Sequence, residues 1–354
     1  MGIFETMSQF GHEMLVFCHD KETGLKAVIG VHDTTLGPAL GGTRLWPYAT
    51  EEAAVTDALR LSRGMTYKNA SMGLNLGGGK GVIWGDPSIK SEALFRAYGR
   101  FVQALGGRYI TAEDVNTTVP DMKWVEMETE FVAGRSEGSG DPSPVTAWGV
   151  LRAMQAAAQH KWGSDSLKGR KVAVQGLGKV GYHLCELLHE EGANLVVADV
   201  NADRVARAVA QLGAEAVEPS KIHAIECDVY APCALGGGLN DETIPALRCQ
   251  IVNGAANNQL AEERHAKAIA DRGILYCPDF IVNGGGVVNV AEEMHPGGYS
   301  QERAMAAVDQ IYGKLLAVLK RAEVEGITTA AAADRIAEER IRQMHAVHRL
   351  WVKR

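Results

Sequence analysis

Lys171-Val-Ala-Val-Gln175-Gly176-Leu-Gly178-Lys179-Val180-Gly181 runs from a β-branched stretch through glycines spaced G-x-G-x-x-G into the start of a helical pattern. That order of strand, tight turn and helix is the entry to a doubly wound α/β domain. Asp199 follows Gly176 by twenty-three residues, at the end of the next apolar run. The glycines leave backbone N–H groups free to approach a pyrophosphate at the helix N-terminus. An acid at Asp199 accepts hydrogen bonds from ribose hydroxyls and repels a 2′-phosphate, which favours NAD over NADP. Gly176, Gly178, Lys179, Val180, Gly181 and Asp199 are therefore the expected cofactor-binding residues. The competing reading is a tight βα turn that holds no ligand. Arg204, one turn into the following helix, reads as a solvated side chain.

Outward from this turn, strand and helix alternate. Strands are expected at 171–175, 194–198, 228–231, 251–252 and 274–276, with helices at 179–191 and near 203–211. Such alternation implies a parallel sheet, so residues 136–329 read as a Rossmann NAD-binding domain. Upstream lies Gly134-Arg-Ser-Glu-Gly-Ser-Gly-Asp-Pro-Ser-Pro144, the most turn-rich stretch of the chain and the expected hinge. Residues 1–135 then form a separate α/β domain with a mixed sheet. Its signals are a hairpin over 14–18 and 25–33, a helix capped by Thr50, a short strand at 81–84 and a helix from Ser91. The tail from 302 is helical, and its last part, 330–354, is expected to pack back on the first domain.

Composition sets limits. With 354 residues, 46% hydrophobic and 22% charged, the chain is of ordinary globular composition with room for two cores. A net charge of -7 without a basic run argues against nucleic acid. No stretch of eighteen apolar residues and no secretory start is present, so the expectation is a soluble, cytoplasmic protein without a membrane partner. The six cysteines are scattered and read as buried thiols, since Cys227 and Cys233 lack C-x-x-C spacing. His345 and His348 have no third ligand nearby, so no metal is expected.

A nicotinamide cofactor carries hydride chemistry, and the first domain must supply the substrate site. Its candidate is Arg63-Gly-Met-Thr-Tyr-Lys68-Asn-Ala-Ser-Met-Gly-Leu-Asn-Leu-Gly-Gly-Gly-Lys80-Gly-Val-Ile83, with two lysines twelve residues apart. It is not a phosphate loop, because G-x-x-x-x-G-K-[ST] requires glycine at Leu74 and a hydroxyl at Gly81. The run Gly77 to Gly79 reads as a turn that lets a ligand approach the backbone. One lysine could hold a carboxylate while the other, desolvated beside a cation, serves as a base. A surface lysine beside a glycine turn is the alternative.

Further motifs carry a resemblance. Gly37-Pro-Ala-Leu-Gly-Gly-Thr-Arg44, Gly64-Met-Thr-Tyr-Lys-Asn69, Gly73-Leu-Asn-Leu-Gly-Gly-Gly-Lys80, Thr111-Ala-Glu-Asp114, Pro142-Ser-Pro-Val-Thr146 and Asn283-Gly-Gly-Gly-Val-Val-Asn-Val290 together resemble the glutamate/leucine/phenylalanine/valine dehydrogenases, most closely the leucine branch. The resemblance spans essentially the whole chain. It implies that Lys68 binds the substrate carboxylate, that Lys80 is the catalytic lysine and that Asp114 is the acid/base. It places Leu40, Gly41, Met65, Ala112, Val287 and Val290 around the substrate side chain. Thr146, Cys233, Ala234 and Asn258 fall on the nicotinamide side, Asn258 also reaching the substrate.

The implied reaction is NAD-dependent, reversible deamination of apolar L-amino acids such as leucine, valine and isoleucine to 2-oxo acids and ammonia. The implied assembly is a homo-oligomer, a dimer or an octamer. Asn283-Gly-Gly-Gly286 departs from the family's usual Asn-Ala-Gly-Gly, and the 134–144 loop is shorter than expected. Two alternatives stand beside this reading: an aromatic amino-acid dehydrogenase of the same family, and a catalytically silent NAD-binding sensor.

Overall fold

The computed structural model describes residues 2–134 and 138–347. The expected boundary at 135/136, part of the turn-rich hinge, and residues 348–354 of the expected C-terminal helix, His348 among them, lie outside the described residues. The chain forms two compact units. One comprises the residues up to Asp141 with Val290–Tyr299 and those from Ala337 onward; the other is Pro142–Asn289 with Ser300–Ile336. The expected α/β class holds, with a mixed sheet in the first and a parallel sheet in the second.

In the first unit, helix α1 (Ile3–Phe10) precedes the hairpin of β1 (Met14–Asp20) and β2 (Leu25–Asp33), closed where Thr23 N donates to the Asp20 carboxylate at 2.9 Å. Two short strands follow, β3 (Ala39–Leu40) and β4 (Thr43–Trp46), then helix α2 (Glu51–Ser71). Thr50 Oγ1 accepts from Ala53 N, and Glu51 and Glu52 sit against the positive end of the α2 dipole. Strand β5 (Gly77–Trp84), helix α3 (Glu92–Ala104), strand β6 (Tyr109–Ile110) and helix α4 (Val119–Glu126) complete the set. The sheet runs β1-β2-β5-β3-β6 with β4 also on β5; β1, β2 and β5 pair antiparallel, and β3 and β4 run parallel to β5. Leu25, Ile29, Leu45, Ile83, Phe95, Tyr98 and Tyr109 form the core beneath it.

The glycine run is not a turn. Gly77 opens β5, and its neighbours fill the space that side chains would take. A Cβ on Gly78 would lie 2.2 Å from the backbone N of Thr66 in α2, and one on Gly79 would lie 2.6 Å from the Tyr109 ring. Glycine is required there because a helix and an aromatic ring press on the strand, not because a ligand approaches it.

In the second unit, α5 (Ser143–Trp162) leads to β7 (Lys171–Gln175), α6 (Lys179–Glu190), β8 (Asn194–Ala198), α7 (Ala202–Leu212), β9 (Glu215–Ala216), β10 (Val229–Pro232), β11 (Ile251–Val252), α8 (Arg264–Asp271) and β12 (Leu275–Tyr276). The strands are parallel in the order β12-β11-β10-β7-β8-β9, the doubly wound arrangement with its reversal between β7 and β10. Helices α9 (Asp279–Val282), α10 (Gly285–Ala291), α11 (Gln301–Asp309), α12 (Ile311–Glu325) and α13 (Thr329–Val347) follow. From the middle of α13, Glu338 accepts from the Tyr67 hydroxyl at 2.9 Å and Arg340 donates to Leu74 O at 2.6 Å. All six cysteines are free thiols and five are buried. Among the described residues no helix is long and apolar enough to cross a membrane.

Candidate active site

The second unit carries the dinucleotide turn. Gly176 adopts φ 96°, and a Cβ on Gly181 would lie 2.0 Å from Gly176 O, so both glycines are sterically required. Gly178 differs. It caps α6 in extended conformation, and a Cβ there would meet nothing within 4 Å. That open backbone at a helix N-terminus fits a pyrophosphate. Lys179 and Val180 form the first turn of α6.

Asp199, at the end of β8, accepts from Leu177 N at 2.6 Å and Asn201 N at 2.8 Å, which fixes its carboxylate beside the turn. Arg204 is exposed, as read, and its Nη1 lies 3.8 Å from Asp199 Oδ2. Around the same turn, the Cβ position of Gly176 is 2.9 Å from Ala234 and that of Gly181 is 3.2 Å from Cys233 Cβ. Ala255 N donates to the Cys233 sulfur, and burial pushes that thiol up to about 12. Thr146 donates to Pro142 O and meets Gly286, next to Val287. Asn258 is exposed with φ 51°, a strained conformation for a residue other than glycine. Val287 and Val290 are half-buried on α10.

The first unit carries the ionisable cluster. Lys80 Nζ lies 3.0 Å from Asp114 Oδ1, with the lysine side chain 5% exposed and the aspartate 21%. Arg44 Nε lies 3.0 Å from Asp114 Oδ2, and Arg44 Nη1 is 3.0 Å from Asp57 Oδ2. The Tyr48 hydroxyl donates to that same Asp57 oxygen. Burial pushes Lys80 below its ordinary value; Asp114 opposes this and Arg44 reinforces it. Burial alone would raise Asp114, but the charges of Lys80 and Arg44 overcome it and hold the carboxyl at about 2. The buried amine, its proton disfavoured by burial and by Arg44, is the group here suited to giving up a proton, with the Asp114 carboxylate as its ionised partner.

Leu40, at the end of β3, and Gly41 after it are both buried. Leu40 pairs with Gly78 and Ile110, and a Cβ on Gly41 would lie 3.4 Å from Met65 Cγ. The Tyr109 hydroxyl donates to Gly41 O at 2.6 Å. Ala112 is buried and its carbonyl accepts from Thr43 N. Lys68 is half-buried in the last turn of α2, the helix that packs along β5. Arg44, Asp57 and Tyr48 escaped the reading of the residues. Their only signal was an arginine alternating with apolar residues in Thr43-Arg-Leu-Trp46, and a long-range partner cannot be inferred from that.

Residues 12–131 match the Glu/Leu/Phe/Val dehydrogenase dimerisation domain, and residues 138–205 and 198–349 match the Glutamate/Leucine/Phenylalanine/Valine dehydrogenase domain. The chain belongs to the Glu/Leu/Phe/Val dehydrogenase family. Within that family it is 58% identical over 345 residues to leucine dehydrogenase of Bacillus cereus, covering 96% of this chain and 94% of the relative. It is 54% identical over 346 residues to valine dehydrogenase of Streptomyces albus, covering 96% and 94%. Among solved structures, L-tryptophan dehydrogenase from Nostoc punctiforme superposes with a TM-score of 0.84 at 48% identity, covering 97% of this chain and 99% of that one. As a member of this family the protein is an amino-acid dehydrogenase.

Proposed function

We propose that this enzyme catalyses the NAD-dependent, reversible oxidative deamination of branched-chain L-amino acids. The balance is amino acid, NAD⁺ and water to 2-oxo acid, ammonium, NADH and one proton. The observation that carries the reading is the ion pair of the buried Lys80 with the half-buried Asp114, whose Cβ lies 2.9 Å from the Cβ position of Gly42. Its support also includes the high identity to leucine and valine dehydrogenases.

Gly176, Gly178, Lys179, Val180, Gly181 and Asp199 hold the dinucleotide, with Thr146, Cys233, Ala234 and Asn258 toward the nicotinamide. When bound, the nicotinamide accepts hydride from the substrate Cα. The Asp199 carboxylate favours NAD, since a 2′-phosphate would face its negative charge. Lys68 binds the substrate carboxylate and fixes the orientation of Cα, an entropic contribution. Lys80, neutral, takes a proton from water as the water oxygen attacks the iminium carbon. Asp114 passes protons to and from the departing nitrogen. Leu40, Met65, Ala112, Val287 and Val290 offer apolar contacts to the side chain. A second substrate carboxylate among them would be unpaired and costly to bury. We read the enzyme as a homo-oligomer, on the matched dimerisation domain.

Two measurements test this. NADH formation across leucine, valine, isoleucine, phenylalanine and tryptophan gives the highest kcat/KM for a branched-chain substrate; an aromatic optimum replaces that specificity with the tryptophan- or phenylalanine-type one. Lys80→Ala lowers turnover by about 10²–10⁴-fold, the range for a lost general base, while NAD still binds. Near-normal turnover removes Lys80 from the mechanism.

A further inference from the structure

We propose that Arg44 is the positioning residue of this site: it takes Oδ2 of Asp114 while Lys80 takes Oδ1, so the carboxylate is held in one orientation with a permanent positive charge beside the base. The inference rests on the functional reading above, in which Lys80 and Asp114 move the protons.

The backbone around Arg44 explains how one residue governs both partners. On one side, β4 pairs parallel with β5, Thr43 opposite Gly81, the residue after Lys80, and Arg44 opposite Val82. On the other side, Thr43 N donates to Ala112 O at 2.8 Å and Leu45 N to Val115 O at 3.1 Å. Thr117 Oγ1 donates to Thr43 O and itself accepts from Asp114 N, each at 2.8 Å. Strand β4 is thus the common support of the strand that carries Lys80 and the loop that carries Asp114.

The side chain is equally constrained. Its Nε and Nη1 engage two different carboxylates, Asp114 from the loop and Asp57 from α2, each at 3.0 Å. A single ammonium cannot reproduce that fork. Tyr48 donates to Asp57 and holds the far end of the chain of contacts. Guanidinium does not lose its proton in proteins, so of the two cations on Asp114 only Lys80 can become neutral.

Among the described residues, these charged groups act on Lys80. Arg44 comes from β4, Asp114 from the loop after β6 and Asp57 from α2, with Tyr48 beyond it. On β2 the residue opposite Lys80 is Gly30, and from β6 the Tyr109 phenol, kept protonated by burial, bonds Gly41 O. Arg44 favours the neutral amine, whereas both carboxylates favour the ammonium. Removing Arg44 and removing Asp57 must therefore act in opposite directions, which loss of a purely structural contact would not do.

The test is the pH profile of kcat for wild type, Arg44→Gln, Arg44→Lys and Asp57→Asn. In Arg44→Gln the ascending limb moves up by about one pH unit, so activity on that limb falls roughly tenfold. In Asp57→Asn the limb moves down. Arg44→Lys restores part of the limb position but not the full kcat, because the charge returns without the fork. An unshifted Arg44→Gln profile, or the two variants shifting the same way, overturns the proposal. If Arg44→Gln shows no cooperative melt, Asp57→Asn decides, and an unshifted or raised limb overturns it. Competitive acetylation of Lys80 across pH, read by peptide mass spectrometry, reports the same shifts without turnover. A wild type that deaminates no amino acid defeats the functional reading, while the acetylation profiles still judge Arg44.

Discussion

Two glycine runs, Gly77 to Gly79 and Gly176 to Gly181, look alike in the sequence and do different work. In the first, the missing side chains are replaced by protein: α2 backbone at Gly78 and the Tyr109 ring at Gly79. In the second, Gly176 and Gly181 are similarly crowded but Gly178 faces open space at the start of α6. A glycine therefore signals a ligand only when its vacant face is not already filled by the chain.

Substitutions can break that contrast. The largest effect is expected for Gly78→Ala, where the new Cβ meets backbone that cannot give way. It should cost about 3 kcal/mol or more, read as a fall in urea midpoint; a stable variant would mean that α2 can lift off β5. Next is Asp114→Asn, which leaves Lys80 and Arg44 without their shared anion. We expect about 1–2 kcal/mol at neutral pH, less than for a fully buried pair because Asp114 is partly exposed. The sign with pH is defined. The carboxyl titrates near 2 in the fold, below its unfolded value of about 3.9, so its contribution is complete above that value. The wild-type advantage should shrink as pH falls from about 4 toward 2, and an advantage flat to pH 2 would disprove the pairing. The smallest stability effect belongs to Gly178→Ala, within about 0.5 kcal/mol. Calorimetry should nonetheless show weaker NAD binding; unchanged affinity would mean that the open face is no phosphate seat.

Much of the fold was legible because its signals are local. The alternation from Lys171 to Tyr276 gave the parallel sheet, since each strand and helix announces itself within a dozen residues. The Thr50 cap and the 14–33 hairpin were equally local. What escaped was non-local. The two-residue strand at 39–40 exists only through its partners, whereas the one at 109–110 was legible as a strand end; the glycines of β5 read as a turn because Gly78 needs α2 before a strand becomes intelligible. Lys80 and Asp114 were named from chemistry and resemblance, and the structure brings them to 3.0 Å. Arg44 was invisible as a partner of Asp114, because an arginine in a strand does not declare which carboxylate it meets.

The free thiols have a practical side. Burial raises the titration of Cys18, Cys227 and Cys233 to about 12, that of Cys249 to about 11, and those of Cys185 and Cys277 higher still. Because thiolate is the nucleophile, maleimides and iodoacetamide find almost no native target in the folded enzyme near neutrality. A cysteine introduced at an exposed position such as Glu22 would carry a fluorophore alone, with the six native residues left in place.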